Sequence, residues 1–139
     1  MTAERKLVHI ELIPIRWGDM DAMGHVNNTL YFRYMEQARI AWLDGMRSII
    51  RAEGLGTVIA STSCNFRQPF VYPGTVEVKI FVTRTGGSSV TTHYEMRVQG
   101  EDTVCADGAA VAVWINMATG KAVRVPEVIR ALLGWQNTA

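Results

Sequence analysis

Thr29–Met46 reads TLYFRYMEQARIAWLDGM, and its apolar residues recur with a helical period. Leu30, Tyr34, Ala38, Ala41 and Gly45 form one stripe. Tyr31, Met35, Ala38, Trp42 and Met46 form the adjacent one. Two neighbouring stripes make a broader apolar face than a surface helix needs, so other structure is expected to wrap this helix deeply. Asn27 or Asn28 suits its cap, because a short side-chain oxygen there accepts from first-turn amides that lack intrahelical partners.

Working outward, Val8, Ile10, Leu12 and Ile15 roughly alternate with His9, Glu11 and Ile13, a first strand ending near Pro14. Beyond Gly54 and Gly56 the period becomes two. Thr57–Phe70 is rich in β-branched and small residues. Thr75–Thr85 alternates through Val76, Val78, Ile80 and Val82, and Ser88–Gln99 through Val90, Thr92, Tyr94, Met96 and Val98. Thr103–Met117 is a long apolar strand. Gly86-Gly87 and Gly100-Glu101-Asp102 are turn signals. Pro126 and Glu127 suit the first turn of a short final helix that Gly134 would stop.

The expected order is strand, long helix, four strands joined by consecutive hairpins, and a short helix. That is an α+β chain whose antiparallel sheet must curl around one long helix to bury both stripes. The run Ala109–Ile115 leaves apolar residues on the outer sheet face, which points to association between copies unless the final helix covers it.

Composition narrows the function classes. The 139 residues are 48% apolar and 19% charged, which suits one globular domain over residues 1–139. Fourteen basic and thirteen acidic side chains leave a formal charge of +1. Such a balance offers no field to gather nucleic acid or an anionic membrane. The opening residues lack the apolar core of a secretion signal, and no run approaches the ~20 apolar residues that span a bilayer. A cytoplasmic protein is the expectation. Cys64 and Cys105 read as reduced thiols, and His9, His25 and His93 lack metal-ligand spacing. Gly120-Lys121 lacks the rest of a P-loop, Gly54-Leu55-Gly56 lacks the third glycine of a dinucleotide fingerprint, and Gly86–Val90 is not a nucleophile elbow.

Chemistry concentrates in Arg16–Tyr31, RWGDMDAMGHVNNTLY. Two carboxylates, a histidine and two asparagines precede the most apolar helix. Free amides at a helix start carry the positive end of the helix dipole and can stabilise an oxyanion. A nearby carboxylate can attack a carbonyl or activate water. A polar turn with a capped helix would use the same residue types, Gly24 then supplying a positive φ.

The block Asp19-Met20-Asp21-Ala22-Met23-Gly24-His25-Val26-Asn27-Asn28, with Tyr31 and Glu36-Gln37-Ala38-Arg39, resembles the signature of hotdog-fold acyl-CoA thioesterases of the 4-hydroxybenzoyl-CoA thioesterase-like group. Asn65–Pro69, Tyr72–Val76, Gly87–Val90 and Ala109–Ile115 resemble the strands that follow, so the likeness covers most of the chain. The resemblance implies a five- or six-stranded antiparallel sheet around a central helix, paired into homodimers or homotetramers with active sites at subunit interfaces. It implies an acyl-CoA substrate, with coenzyme A part of the substrate and no separate cofactor, nucleic acid or membrane partner.

On that resemblance Asp21 is the catalytic carboxylate, as nucleophile or as general base on water. Gly24, His25, Val26, Asn27, Asn28 and Tyr31 fall on the oxyanion and substrate positions. Arg84, Gly87, Ser88 and Ser89 fall on coenzyme A contacts. His25 either hydrogen-bonds Asp21, orients substrate or stabilises the loop. Asp19 reads as structural, Glu36 as a minor candidate base and His93 as a surface or interface residue. Two other readings stay open: a hotdog enoyl-CoA hydratase or dehydratase using His25 with Asp21, and a non-catalytic acyl-CoA-binding hotdog protein. The acyl group is not legible, although Ala60, Ser61 and Ser63 leave room for a chain or ring.

Overall fold

The computed structural model describes residues 5–133. Five strands form one antiparallel sheet: β1 (Lys6–Pro14), β2 (Leu55–Phe66), β3 (Thr75–Thr85), β4 (Ser89–Val98) and β5 (Ala106–Asn116). Helices α1 (Asn28–Asp44) and α2 (Arg47–Ala52) lie between β1 and β2, and α3 (Glu127–Leu133) follows β5. The α+β class is as expected. The expected stop of the final helix at Gly134 lies outside the described residues.

The strand order is β1-β3-β4-β5-β2. This corrects the expectation of consecutive hairpins throughout. β2 does not pair with β3; it crosses to the far edge and pairs with β5, Phe66 opposite Ala106 and Leu55 opposite Asn116. The physical reason lies in residues 67–74. Pro69 and Pro73 cannot donate ladder hydrogen bonds, so this stretch leaves the sheet and carries the chain to β3. β3 is then free to take β1 on one side, Pro14 opposite Thr75, and β4 on the other.

The helical region agrees with the sequence reading over α1 and adds one short helix. The expected helix is α1, which ends at its C-cap Gly45, and the short α2 that follows it was not expected. Tyr31, Tyr34, Met35 and Ala38 are buried as the stripes require. They pack with Val76, Val78, Ile80, Tyr94, Met96 and Ala110, the inward residues of alternating strands. Arg39, a charged residue outside both stripes, is buried too and donates a 3.1 Å hydrogen bond to the Tyr94 hydroxyl. α1 contacts β3 and both edge strands, β1 and β2.

A second apolar cluster closes one end. Ile129 and Leu133 of α3 pack with Met46, Leu55, Val82, Val90 and Trp114. The final helix therefore covers the inner face and not the outward residues Ala109, Val111 and Val113, which stay half-buried. Arg130 fixes this arrangement by donating to the Gly86 and Gly87 carbonyls of the β3–β4 hairpin at 2.6 and 3.1 Å.

Candidate active site

The loop between β1 and α1 is held by backbone bonds at both ends. Met20 and Val26 form a bridge, the Asp21 N–H donates to the His25 carbonyl at 2.8 Å, and the Asn27 N–H donates to the Asp19 carbonyl at 2.9 Å. Gly24 sits at φ +78°, in the left-handed region that a side chain disfavours, and this lets the loop turn back on itself. Val26 is buried and donates its amide to the Phe70 carbonyl at 2.9 Å, tying the loop to the crossing segment.

Asn27 is the helix cap. Its Oδ1 accepts from the Thr29 amide at 2.9 Å and from the Thr29 hydroxyl at 2.8 Å. Asn28 is the first helical residue, and among the described residues no acceptor meets its amide. That unpaired N–H lies at the positive end of α1.

A cleft of about 340 Å³ opens beside this helix start. Asp21, Met23, His25, Val26, Asn28 and Tyr31 line one side. Phe66, Arg67, Gln68 and Pro69 line the other. The structure thus brings together Asp21, His25, Val26, Asn28 and Tyr31 from the candidate residues, whereas Gly24 and Asn27 support the loop without reaching the cleft wall. Asp21 uses Oδ1 to accept from the Met23 amide at 2.9 Å. The bond that joins Asp21 to His25 runs between backbones.

The cleft floor is aromatic. Tyr31 meets Phe66 edge-on with ring centroids 5.0 Å apart, and it tilts against Phe70 at 5.3 Å. Its hydroxyl accepts from the buried Phe70 amide at 3.2 Å. Burial pushes the pKa of this hydroxyl up, against the opposing pull of the Phe70 N–H, so the phenol stays protonated near neutral pH. Cys64, packed at the edge of the same core cluster, is pushed up to about 11 by burial, which keeps it a thiol and a poor nucleophile.

Sequence reasoning missed Phe66, Arg67, Gln68 and Pro69. Pro69, which ends the ladder pairing of β2, was the available signal, because residues just past a strand end can face a neighbouring loop. Conversely, Arg84, Gly87, Ser88 and Ser89 do not join the cleft. The register runs from Phe66 through Ala106 and Met96 to Val78, and the hairpin lies seven residues further along β3. At ~3.3 Å per residue that is roughly 23 Å away. Glu36 is exposed and bonded to Arg33 at 3.0 Å, away from the cleft.

The chain is a hotdog-fold thioesterase, an enzyme that hydrolyses thioesters. The chain belongs to the thioesterase-like superfamily, whose family model matches residues 15–133. It is 34% identical over 115 residues to the protein YsmA of Bacillus subtilis, covering 80% of this chain and 75% of that one. It is 26% identical to the long-chain acyl-CoA thioesterase FadM of Escherichia coli, covering 87% of this chain and 93% of FadM. Among solved structures, the PA2801 protein of Pseudomonas aeruginosa superposes with a TM-score of 0.84 at 36% identity, covering 91% of this chain and 98% of that one.

Proposed function

We propose that the chain is an acyl-CoA thioesterase that hydrolyses acyl- or aroyl-CoA to the free acid and CoA, working in the cytoplasm as one hotdog domain over residues 1–139. One observation carries the reading: Asp21 and Asn28, the latter with an N–H that meets no acceptor among the described residues, line a single cleft. A thioester carbonyl placed there would have its oxygen against the positive helix start and its carbon toward Asp21. As negative charge grows on that oxygen, the Asn28 N–H and the helix dipole stabilise it without reorganising. Asp21 either attacks the carbon, forming an anhydride that water then opens, or takes a proton from the attacking water. Both routes transfer the acyl group to water oxygen and release a thiolate, which leaves without a strong acid. The chain's own groups suffice, and CoA enters as part of the substrate. Similarity to FadM supports a CoA ester, and the aromatic floor formed by Tyr31 and Phe66 suits an apolar or aromatic acyl group.

The same reading has the sheet curled around α1 as the central helix. Strands lie ~4.8 Å apart, so a flat five-stranded sheet would be wider than the single helix that here touches both of its edges. It also takes the protein as a homodimer or homotetramer. β2 is a twelve-residue edge strand with both faces open from Ile59 to Ser63, and Val58, Ile59 and Phe66 are exposed on it. A long exposed edge strand of this kind invites pairing with a second copy. Phe66 also lines the cleft, so such pairing would put the site at the subunit boundary. Arg84, Gly87, Ser88 and Ser89 could touch coenzyme A only from a neighbouring protomer.

The test is hydrolysis of a panel of acyl- and aroyl-CoA esters by wild type and Asp21→Asn. Asparagine still accepts from the Met23 amide, so the loop should persist. A fall of about 10²-fold or more in kcat is expected. An inert wild type, or an Asp21→Asn enzyme at full rate, would overturn the reading.

A further inference from the structure

In the turn between β3 and β4 every carbonyl is engaged and two amides are left over. The Gly86 carbonyl accepts from Arg130 at 2.6 Å, and the Gly87 carbonyl accepts from the same nitrogen at 3.1 Å. The Gly87 carbonyl accepts again from the Val125 amide at 2.9 Å, that of Ser88 from the Trp114 amide at 2.8 Å, and that of Ser89 from the Gly86 amide at 2.7 Å. The N–H groups of Gly87 and Ser88 meet no acceptor among the described residues. Gly87 is exposed, and no neighbouring atom lies within 4 Å of where its side chain would begin.

These features have one cause. A peptide unit is planar and trans, so its N–H points opposite to its C=O. The Gly86 carbonyl and the Gly87 N–H belong to one unit, and the Gly87 carbonyl and the Ser88 N–H belong to the next. Arg130 draws both carbonyls inward and so turns both N–H groups outward. A carbonyl that accepts from a cation is polarised, and the N–H across the same unit becomes a stronger donor. Arg130 is buried, and its hydrogen bonds all go to carbonyls, the third to Val125 at 3.1 Å. None of these partners neutralises its charge, which therefore stands beneath the turn.

We infer that Arg130 is a positioning residue for the substrate, which aims and strengthens the Gly87 and Ser88 amides as donors to an anionic group of the coenzyme A moiety. This rests on the proposed acyl-CoA activity and on the β3–β4 hairpin as its coenzyme A contact. It adds a residue of the final helix that itself touches no substrate. Successive N–H groups aimed the same way make a concavity that suits an anion, and the missing side chain of Gly87 lets that anion come close. Arg130 stands with the hairpin at the end of the strands away from Asp21, so it acts on binding and not on acyl transfer.

The experiment compares one acyl group carried on coenzyme A and on pantetheine, which lacks the phosphates. The readout is the ratio of the two kcat/KM values. Arg130→Met is expected to lower this ratio about tenfold through KM for the CoA ester, with kcat little changed. Arg130→Lys keeps the charge without the planar fork and should recover part of the loss. Leu133→Ala, at a fully buried residue of the same helix, controls for loosened packing: it should lower Tm and leave the ratio unmoved. A ratio unmoved by Arg130→Met, or lowered as far by Leu133→Ala, would make Arg130 a clamp for α3 alone and overturn the inference. Should Arg130→Met fail to fold, amide NMR of the wild type decides. The Gly87 and Ser88 N–H resonances are expected to shift with coenzyme A and to stay in place with pantetheine; resonances that coenzyme A leaves unmoved overturn the inference. Calorimetric titration of wild type and Arg130→Lys with coenzyme A separates this inference from the activity. Arg130-dependent binding by a protein that hydrolyses no thioester would sink the activity and keep the inference. Hydrolysis with Arg130-independent binding would do the reverse.

Discussion

The Tyr34 hydroxyl donates a 2.9 Å hydrogen bond to Oδ2 of Asp19, joining the buried face of α1 to the loop that carries Asp21. The same oxygen accepts from the Arg16 amide at 3.0 Å, and both side chains are buried. Burial and the Asp19 carboxylate hold the Tyr34 pKa far above the usual tyrosine range, so the phenol remains a donor. Asp19 is thus the anchor of the loop. Tyr34→Phe strips a buried carboxylate of one donor and is expected to cost about 1–3 kcal/mol. Calorimetry should show Tm falling by several degrees, with a smaller loss of kcat than Asp21→Asn gives.

Gly108 of β5 faces Met35 of α1. A Cβ there would sit 2.7 Å from the Ser63 carbonyl oxygen and 2.8 Å from the Met35 sulfur. The methionine can move, but the carbonyl belongs to the β2 ladder opposite. Gly108→Ala is therefore expected to destabilise by about 1–3 kcal/mol through overpacking. A lower urea midpoint at unchanged m would register it.

Tyr31 separates a floor role from a chemical one. Its hydroxyl is committed to the Phe70 amide, and Phe70 is fully buried. Tyr31→Phe is expected to cost about 1 kcal/mol of stability and to change kcat by only a few-fold. A kcat loss as deep as that of Asp21→Asn would mean that the phenol acts on the reacting atoms.

The Arg67–Asp107 pair gives a pH signature. The Arg67 hydrogen bond holds the Asp107 carboxyl below its ordinary value. A folded pKa lower than the unfolded one, about 3.9, gives stability that is present above that value and is lost as pH falls through the folded pKa. The pair is largely exposed, so solvent screening keeps the effect small. Asp107→Asn should therefore lower the urea midpoint near pH 7 and leave it close to wild type near pH 2.

Much of this protein is legible in order along the chain. Periodicity alone places α1 to within a residue or two at each end, because its stripes are dense and Asn27 caps it. It also places β3 and β4, where Val, Ile and Thr alternate. The D-x-D-x-x-G-H-V-N-N block marks the candidate-site loop, since a positive-φ glycine, a capping asparagine and a following apolar helix are each local requirements. The short helix α2 was less visible, because six residues are too few to show a helical period.

By itself the sequence determined the local choices: which residues form the helix, which alternate as strands, and which loop holds the carboxylate. Only the tertiary structure decided that β2 crosses to the far edge, that Phe66 and Arg67 complete the cleft, and that the Gly87–Ser89 hairpin stands at the other end. Helix periods, caps and turns are set by neighbours a few residues apart. Strand order and the walls of a cleft are set by which distant surfaces bury one another, and no short window of sequence contains that competition.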